Sequence, residues 1–254
     1  VGDIAVLGWP AVSAVCAAVV MTLFFGVIWS RALGCNRDLG LLTGGAVGIC
    51  GASAAMAMSA ALPESEAKQR QTLFTVIGVT TFSTVAMVFY PIFGDLLHFT
   101  STDMGFFIGA TIHDVAQVVG AGYSVSSETG DLATFVKLLR VAMLVPVVMG
   151  IAFLCRATTQ AKGDSRSAPA PFPLFLLGFI ALFLLNNTVS LPAALTHWMS
   201  QLATGLLLLV VTALGVRTSL REMASIGWRP IIMLGGETLF LAITIPSLLL
   251  LEVV

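Results

Sequence analysis

Long apolar stretches constrain this chain more than any other feature of its sequence. Six of them are long enough to cross the roughly 30 Å hydrocarbon core of a bilayer as α-helices. They cover residues 9–31, 72–94, 134–155, 172–187, 195–216 and 230–251. Only 10% of the 254 residues are charged, against about 25% in soluble domains. The sequence therefore predicts an all-α integral membrane protein, a polytopic helical bundle surrounded by lipid.

Two further apolar segments differ from ordinary spans. Residues 39–62 contain five glycines and no charge, and residues 105–122 are short, bounded by glycines, and carry His113, Asp114 and Gln117. Non-helical backbone survives at membrane depth only where protein or water covers it. We predict that both segments are broken or re-entrant. The alternative is a pair of ordinary helices that use small residues for close packing.

The basic residues predict how the chain is placed in the membrane. If each broken segment returns to the side from which it enters, residues 39–62 from the inside and residues 105–122 from the outside, ten of the twelve Lys and Arg residues fall in four loops. These are the loops near 31–37, 68–70 and 217–229, and the polar linker 156–171. Because cytoplasmic loops concentrate Lys and Arg, we expect all four in the cytoplasm of a bacterium. The chain is then a multi-pass protein of the inner membrane.

A short internal repeat predicts inverted symmetry. Residues 3–10 (DIAVLGWP) resemble residues 222–230 (EMASIGWRP), and each copy leads into an apolar span. In the predicted topology the two related helices run in opposite directions, which is typical of secondary transporters. Spans precede the second copy, whereas the first copy begins at the start of the chain. We therefore expect further helices ahead of Val1 in the working protein.

Three polar residues of the second broken segment are candidates for a functional site. Ionisable groups at membrane depth are costly and usually face a cavity or a partner. On a continuous helix, His113 and Gln117 would share one face, with Asp114 close to it. We interpret them as a substrate site or a proton relay. The alternative is a polar contact that fixes the segment against neighbouring helices.

Lys137 and Arg140 lie one helical turn apart, near the predicted outer end of the 134–155 span. Together they could attract an oxyanion, for which Arg offers a planar pair of donors. Two alternatives remain open. The side chains could extend to the outer interface, or they could pair with Asp114, Glu128 or Asp131.

Two further features are candidate parts of an anion path. Gly48, Gly51 and Ser53 lie in a glycine-rich run that could bring a helix terminus to the middle of the membrane. Exposed N–H groups there bind anions, although tight helix packing explains the run equally. Glu237, in the last span, is a candidate proton-coupling group, with a simple hydrogen bond to a neighbouring helix as the alternative.

These segments together resemble the YeiH-type membrane proteins, a family named for sulfate export. The resemblance is carried by residues 44–55, 109–122, 136–148 and 215–228. It implies an anion transporter, with members longer at the N-terminus by about three spans. The His-Asp pair of the family motif falls on His113 and Asp114, and its Lys and Arg positions fall on Lys137 and Arg140.

We therefore expect a secondary transporter of a small inorganic or organic anion, such as a sulfate-like oxyanion, coupled to the proton gradient. A channel or a structural membrane subunit is the alternative. An intramembrane hydrolase using Ser53 and His113 is disfavoured, because no G-x-S-x-G pattern surrounds the serine. We expect no enzymatic activity, no metal site and no cofactor. A net charge of −1 gives no reason to expect nucleic acid, and a homo-oligomer is left open.

Overall fold

The computed structural model describes residues 2–63, 66–161 and 228–251, together with separate positions between 178 and 209. Every regular element within these residues is a helix. The helices are α1 (Gly2–Ala32), α2 (Arg37–Gly48), α3 (Ala52–Ala61), α4 (Glu66–Leu96), α5 (Ser101–Thr111), α6 (Val115–Val125), α7 (Ser127–Ala142), α8 (Leu144–Ala161) and α9 (Arg229–Leu250). The prediction of an all-α bundle is confirmed.

Four helical stretches are long and apolar enough to cross a membrane. They are Gly8–Ala32, Ala67–Leu96, Ser127–Leu154 and Arg229–Leu250. The third begins well before the predicted residue 134, because Ser126 caps α7 by accepting a hydrogen bond from the Thr129 N–H. Acidic residues such as Glu128 suit this first helical turn, where the helix dipole is positive.

Several predictions concern residues that the structure describes in part or not at all. The predicted span 172–187 and the second copy of the repeat lie largely outside the described residues, as does much of the span 195–216. Of the predicted linker 156–171, the first part continues α8 as far as Ala161, and the remainder is not described.

Helices α2 and α3 form a first hairpin. The helix breaks at residues 49–51, where Gly51 has a φ of +66°, a conformation that glycine adopts without steric cost. The Met58 side chain then packs against Gly45, in the space that a Cβ atom at Gly45 would fill. In one continuous helix, these two residues would be about 20 Å apart. The chain therefore turns back on itself.

Helices α5 and α6 form a second hairpin, broken at residues 112–114. Both helices pack against the first half of α7. A Cβ atom on Gly105, in α5, would lie 2.9 Å from the Leu132 Cβ, and one on Gly122, in α6, would lie 2.8 Å from the Gly130 Cα. Residues near both ends of the hairpin thus lie close to the start of α7.

The two hairpins approach each other from opposite ends of α4. The first hairpin lies beside the start of α4, where the Thr72 hydroxyl is 2.7 Å from the Ser59 hydroxyl. The second lies beside its end, where the Tyr90 and Phe107 rings stack at 5.0 Å. The breaks meet in between, since a Cβ on Gly51 would lie 3.4 Å from the His113 carbonyl oxygen.

We call this meeting point, formed by residues 49–51 and 112–114, the crossing. The predicted two broken segments are confirmed. The side of the membrane from which each hairpin enters, and the inverted repeat, stay predictions.

Candidate functional site

Lys137, on α7, reaches into the crossing and contacts both hairpins. Its side chain is fully buried. The ammonium donates hydrogen bonds to the carbonyl oxygens of Ile49 (2.7 Å), Ile112 (3.0 Å) and His113 (2.6 Å). An ammonium group has three hydrogens, so all three are used within the protein.

Arg140, one turn further along α7, also joins the two hairpins. Its Nε donates to the Gly48 carbonyl at 2.9 Å, and its Nη2 donates to Val47 at 2.6 Å. Its Nη1 donates to Gly109 at 3.2 Å and to Ile112 at 3.0 Å. Four of the five guanidinium N–H groups therefore bind backbone carbonyls.

These carbonyls belong to the C-terminal ends of α2 and α5. The last carbonyls of a helix have no partner within it, and the helix dipole is negative there. Lys137 and Arg140 supply both the missing donors and the compensating charge. The alternative in which these side chains extend to the outer interface is excluded, because Lys137 is 0% exposed and Arg140 is 2% exposed. The early start of α7 places them deep in the bundle.

Helix α9 contacts both hairpins through two consecutive residues. Glu237 Oε1 lies 2.8 Å from the hydroxyl of Thr43, in the first hairpin. The Thr238 hydroxyl lies 2.9 Å from Nε2 of His113, in the second hairpin. The sequence pointed to Glu237 and His113, but not to Thr238.

Helix α4 holds the second hairpin from another side. The Ser83 hydroxyl accepts hydrogen bonds from the backbone N–H groups of His113 (3.2 Å) and Asp114 (3.0 Å). Gln117 Nε2 donates to the Thr84 hydroxyl at 2.8 Å. His113 and Gln117 do not share the helical face that a continuous helix would give them, because the break places His113 before the first residue of α6.

Helices α3 and α6 begin at the crossing, and their N-termini differ. The Asp114 carboxylate caps α6 by accepting a hydrogen bond from the Ala116 N–H at 2.9 Å. Gly51 caps α3 and has no side chain to do the same. The exposed Ser53 lies in the first turn of α3, and its hydroxyl donates to the Cys50 carbonyl at 3.2 Å. The first N–H groups of α3 thus have no side-chain acceptor at the N-cap.

Some buried polar side-chain atoms of these helices have no hydrogen-bond partner. Among the described residues these are His113 Nδ1, Gln117 Oε1, Glu237 Oε2 and Trp29 Nε1. Unpaired buried polar atoms are uncommon, and each calls for an explanation such as a bound ligand or a functional role. Three of the four belong to residues that the sequence singled out.

The chain resembles proteins described as membrane proteins. Residues 1–234 match the family model described as Conserved hypothetical protein 698. The UPF0324 membrane protein TauZ of Paracoccus pantotrophus is 46% identical over 97% of this chain and 73% of its own length. The UPF0324 membrane protein CT0845 of Chlorobaculum tepidum is 42% identical over 96% of this chain and 68% of its own length. A UPF0324 membrane protein of Bordetella bronchiseptica is 35% identical over 94% of this chain and 74% of its own length. No solved structure matches the chain.

Proposed function

We propose that this chain, which belongs to the UPF0324 family of YeiH-type membrane proteins, forms a secondary transporter for a small anion in a bacterial inner membrane. The observation that carries the proposal is the meeting of two broken hairpins at the crossing. Broken helices bring helix termini to membrane depth, where they bind ions at a site that each side of the membrane reaches in turn.

The N-terminus of α3 is the place in the crossing that suits an anion. Its first N–H groups carry the positive end of the helix dipole. Gly51 brings no side chain that would compete for them, and the Ser53 hydroxyl lies beside them. At the start of α6, the carboxylate of Asp114 already takes the position that an anion would occupy.

The charges at the crossing favour an anion over a cation. Lys137 and Arg140 contribute two positive charges, and Asp114 contributes one negative charge. Each helix end contributes about half a charge, positive for α3 and α6 and negative for α2 and α5, so these four cancel. About one positive charge remains. The two cations therefore attract the anion through their field, while their hydrogen bonds stay with the carbonyls.

Proton coupling completes the proposal. Protonation of His113, Asp114 or Glu237 would change the charge near the crossing and link anion movement to the proton gradient. Transport is favoured over hydrolysis because Ser53 and His113 bind different partners, Cys50 and Thr238.

Counterflow in proteoliposomes tests this function. Vesicles containing the full-length protein are loaded with unlabelled sulfate, sulfite or an alkyl sulfonate, and the uptake of radiolabelled sulfate is followed. We expect uptake that saturates and that depends on the anion inside. Absence of flux with every oxyanion would overturn the proposal. Unitary currents of channel size would replace the transporter with a channel.

A further inference from the structure

Glu237 lies in a setting that the proposed function does not yet explain. Its side chain is 0% exposed. Oε1 contacts the Thr43 hydroxyl at 2.8 Å, and Oε2 has no partner. Helix α1 packs closely over the carboxyl group, because a Cβ on Gly26 would lie 2.7 Å from Oε1. The carboxyl group is therefore enclosed between α1, α2 and α9.

The single hydrogen of the Thr43 hydroxyl indicates which group is the donor in the hydrogen bond between Glu237 and Thr43. The Thr43 hydroxyl lies 2.9 Å from the Leu39 carbonyl oxygen as well as 2.8 Å from Glu237 Oε1. A hydroxyl has only one hydrogen to donate. Threonines of other helices, such as Thr22 in α1 and Thr111 in α5, donate to the carbonyl four residues earlier. If Thr43 does the same, the hydrogen between it and Glu237 belongs to the carboxyl group.

The charges around Glu237 favour the same assignment. The described groups that lie against this turn of α9 include Gly26 and Trp29 of α1, Thr43 of α2 and Phe82 of α4, none of which is charged. The hydroxyl of the neighbouring Thr238 contacts the imidazole of His113, in the second hairpin. Among the described residues, an ionised carboxylate here would have one donor and no cation in contact, and its burial would cost much more than that of a neutral acid.

We propose that Glu237 is the proton-binding site of the transporter, and that in this conformation it is protonated and donates its hydrogen to the Thr43 hydroxyl. This inference rests on the proposed function. When α1 and α2 separate from α9, water reaches the carboxyl group, which releases its proton to form a carboxylate and a hydronium ion.

The position of Thr43 links this proton to the crossing. Thr43 precedes Val47 and Gly48 by about one turn of α2, and both of those carbonyls bind Arg140. On the other side, Thr238 follows Glu237 directly and binds His113. Loss of the proton therefore changes the contact between α9 and the first hairpin. The contact between α9 and the second hairpin lies one residue away.

Infrared spectroscopy tests the proton directly and without a substrate. A protonated carboxyl group has a C=O stretching band that an ionised carboxylate lacks. In the full-length protein in lipid nanodiscs at neutral pH, we expect such a band. It should disappear in Glu237→Gln, shift in Thr43→Val because a hydrogen bond is lost, and remain in the control Asp95→Asn, which changes an exposed carboxylate. A spectrum that Glu237→Gln leaves unchanged would overturn the inference.

Transport measurements test the coupling. The readout is the ratio of radiolabelled sulfate uptake with a pH gradient to uptake without one, within each variant. We expect a ratio well above one for the wild type and Asp95→Asn, and a ratio near one for Glu237→Gln. A wild-type ratio retained by Glu237→Gln would contradict the inference. If the wild type shows no flux at all, the proposed function fails, and the infrared band still decides whether Glu237 holds a proton.

Discussion

Arg140 connects two parts of the chain that are far apart in sequence. Its guanidinium binds the Val47 and Gly48 carbonyls of one hairpin and the Gly109 and Ile112 carbonyls of the other. Hydrogen bonds to a charged donor are worth more than neutral ones. The side chain therefore joins the two hairpins at the crossing and also contributes a positive charge there.

Replacing Arg140 by Met should destabilise the protein strongly. The change leaves buried carbonyls without a donor, at about 1–3 kcal/mol for each unsatisfied group. We expect the unfolding temperature in detergent to fall by several degrees or more, with a smaller fall for Arg140→Lys. Arg31→Met is the control, since Arg31 is exposed. Equal unfolding temperatures for Arg140→Met and Arg31→Met would contradict this role.

Single residues of the site were partly predictable from sequence. Lys137, His113 and Glu237 stood out because ionisable groups are rare within apolar segments. The hydrogen-bond partners of Lys137 could not be predicted, because they are backbone carbonyls, which every residue type carries. Thr238 was missed for a related reason. A threonine in an apolar helix usually satisfies its hydroxyl with a carbonyl of its own helix.

At the scale of elements, helix length explains the hairpins. Helices α2 and α3 have 12 and 10 residues, so each is only about 15–18 Å long and cannot cross a 30 Å core alone. The glycine-rich sequence predicted the break at this point. It did not determine whether the chain turns back, which depends on the packing of Met58 against Gly45.

A disulfide between positions 45 and 58 tests the first hairpin. In a background without native cysteines, we expect Gly45→Cys/Met58→Cys to lose both free thiols after mild oxidation, as measured by mass spectrometry. The control is Gly45→Cys/Met56→Cys, because Met56 is 48% exposed on another face of α3. Equal oxidation of the two pairs would speak against the hairpin, since a continuous helix places residues 45 and 58 about 20 Å apart.

At the scale of the whole molecule, the two hairpins lie between α7 and α9. Helix α7 binds the carbonyl ends of both through Lys137 and Arg140. Helix α9 contacts one side chain of each hairpin, since Glu237 contacts Thr43 and Thr238 contacts His113. A movement of α9 relative to α7 would therefore change both hairpins together, as transport through a single site requires.

This arrangement could not be predicted from sequence. The contact between Lys137 and Ile49 joins residues that are 88 positions apart. Apolar patterns locate helices, but they do not show which broken ends meet. The distribution of Lys and Arg predicted hairpins that enter from opposite sides, and in the structure they extend from opposite ends of α4.

Protection of a cysteine at position 53 tests most directly whether the crossing binds the transported anion. Ser53→Cys is placed in the full-length protein without native cysteines, and its reaction with an anionic thiol reagent is timed in membrane vesicles. We predict that sulfate or another transported oxyanion slows this reaction, but not that of the exposed control Met56→Cys, one turn away on α3. A rate at position 53 that no tested oxyanion changes would contradict the account.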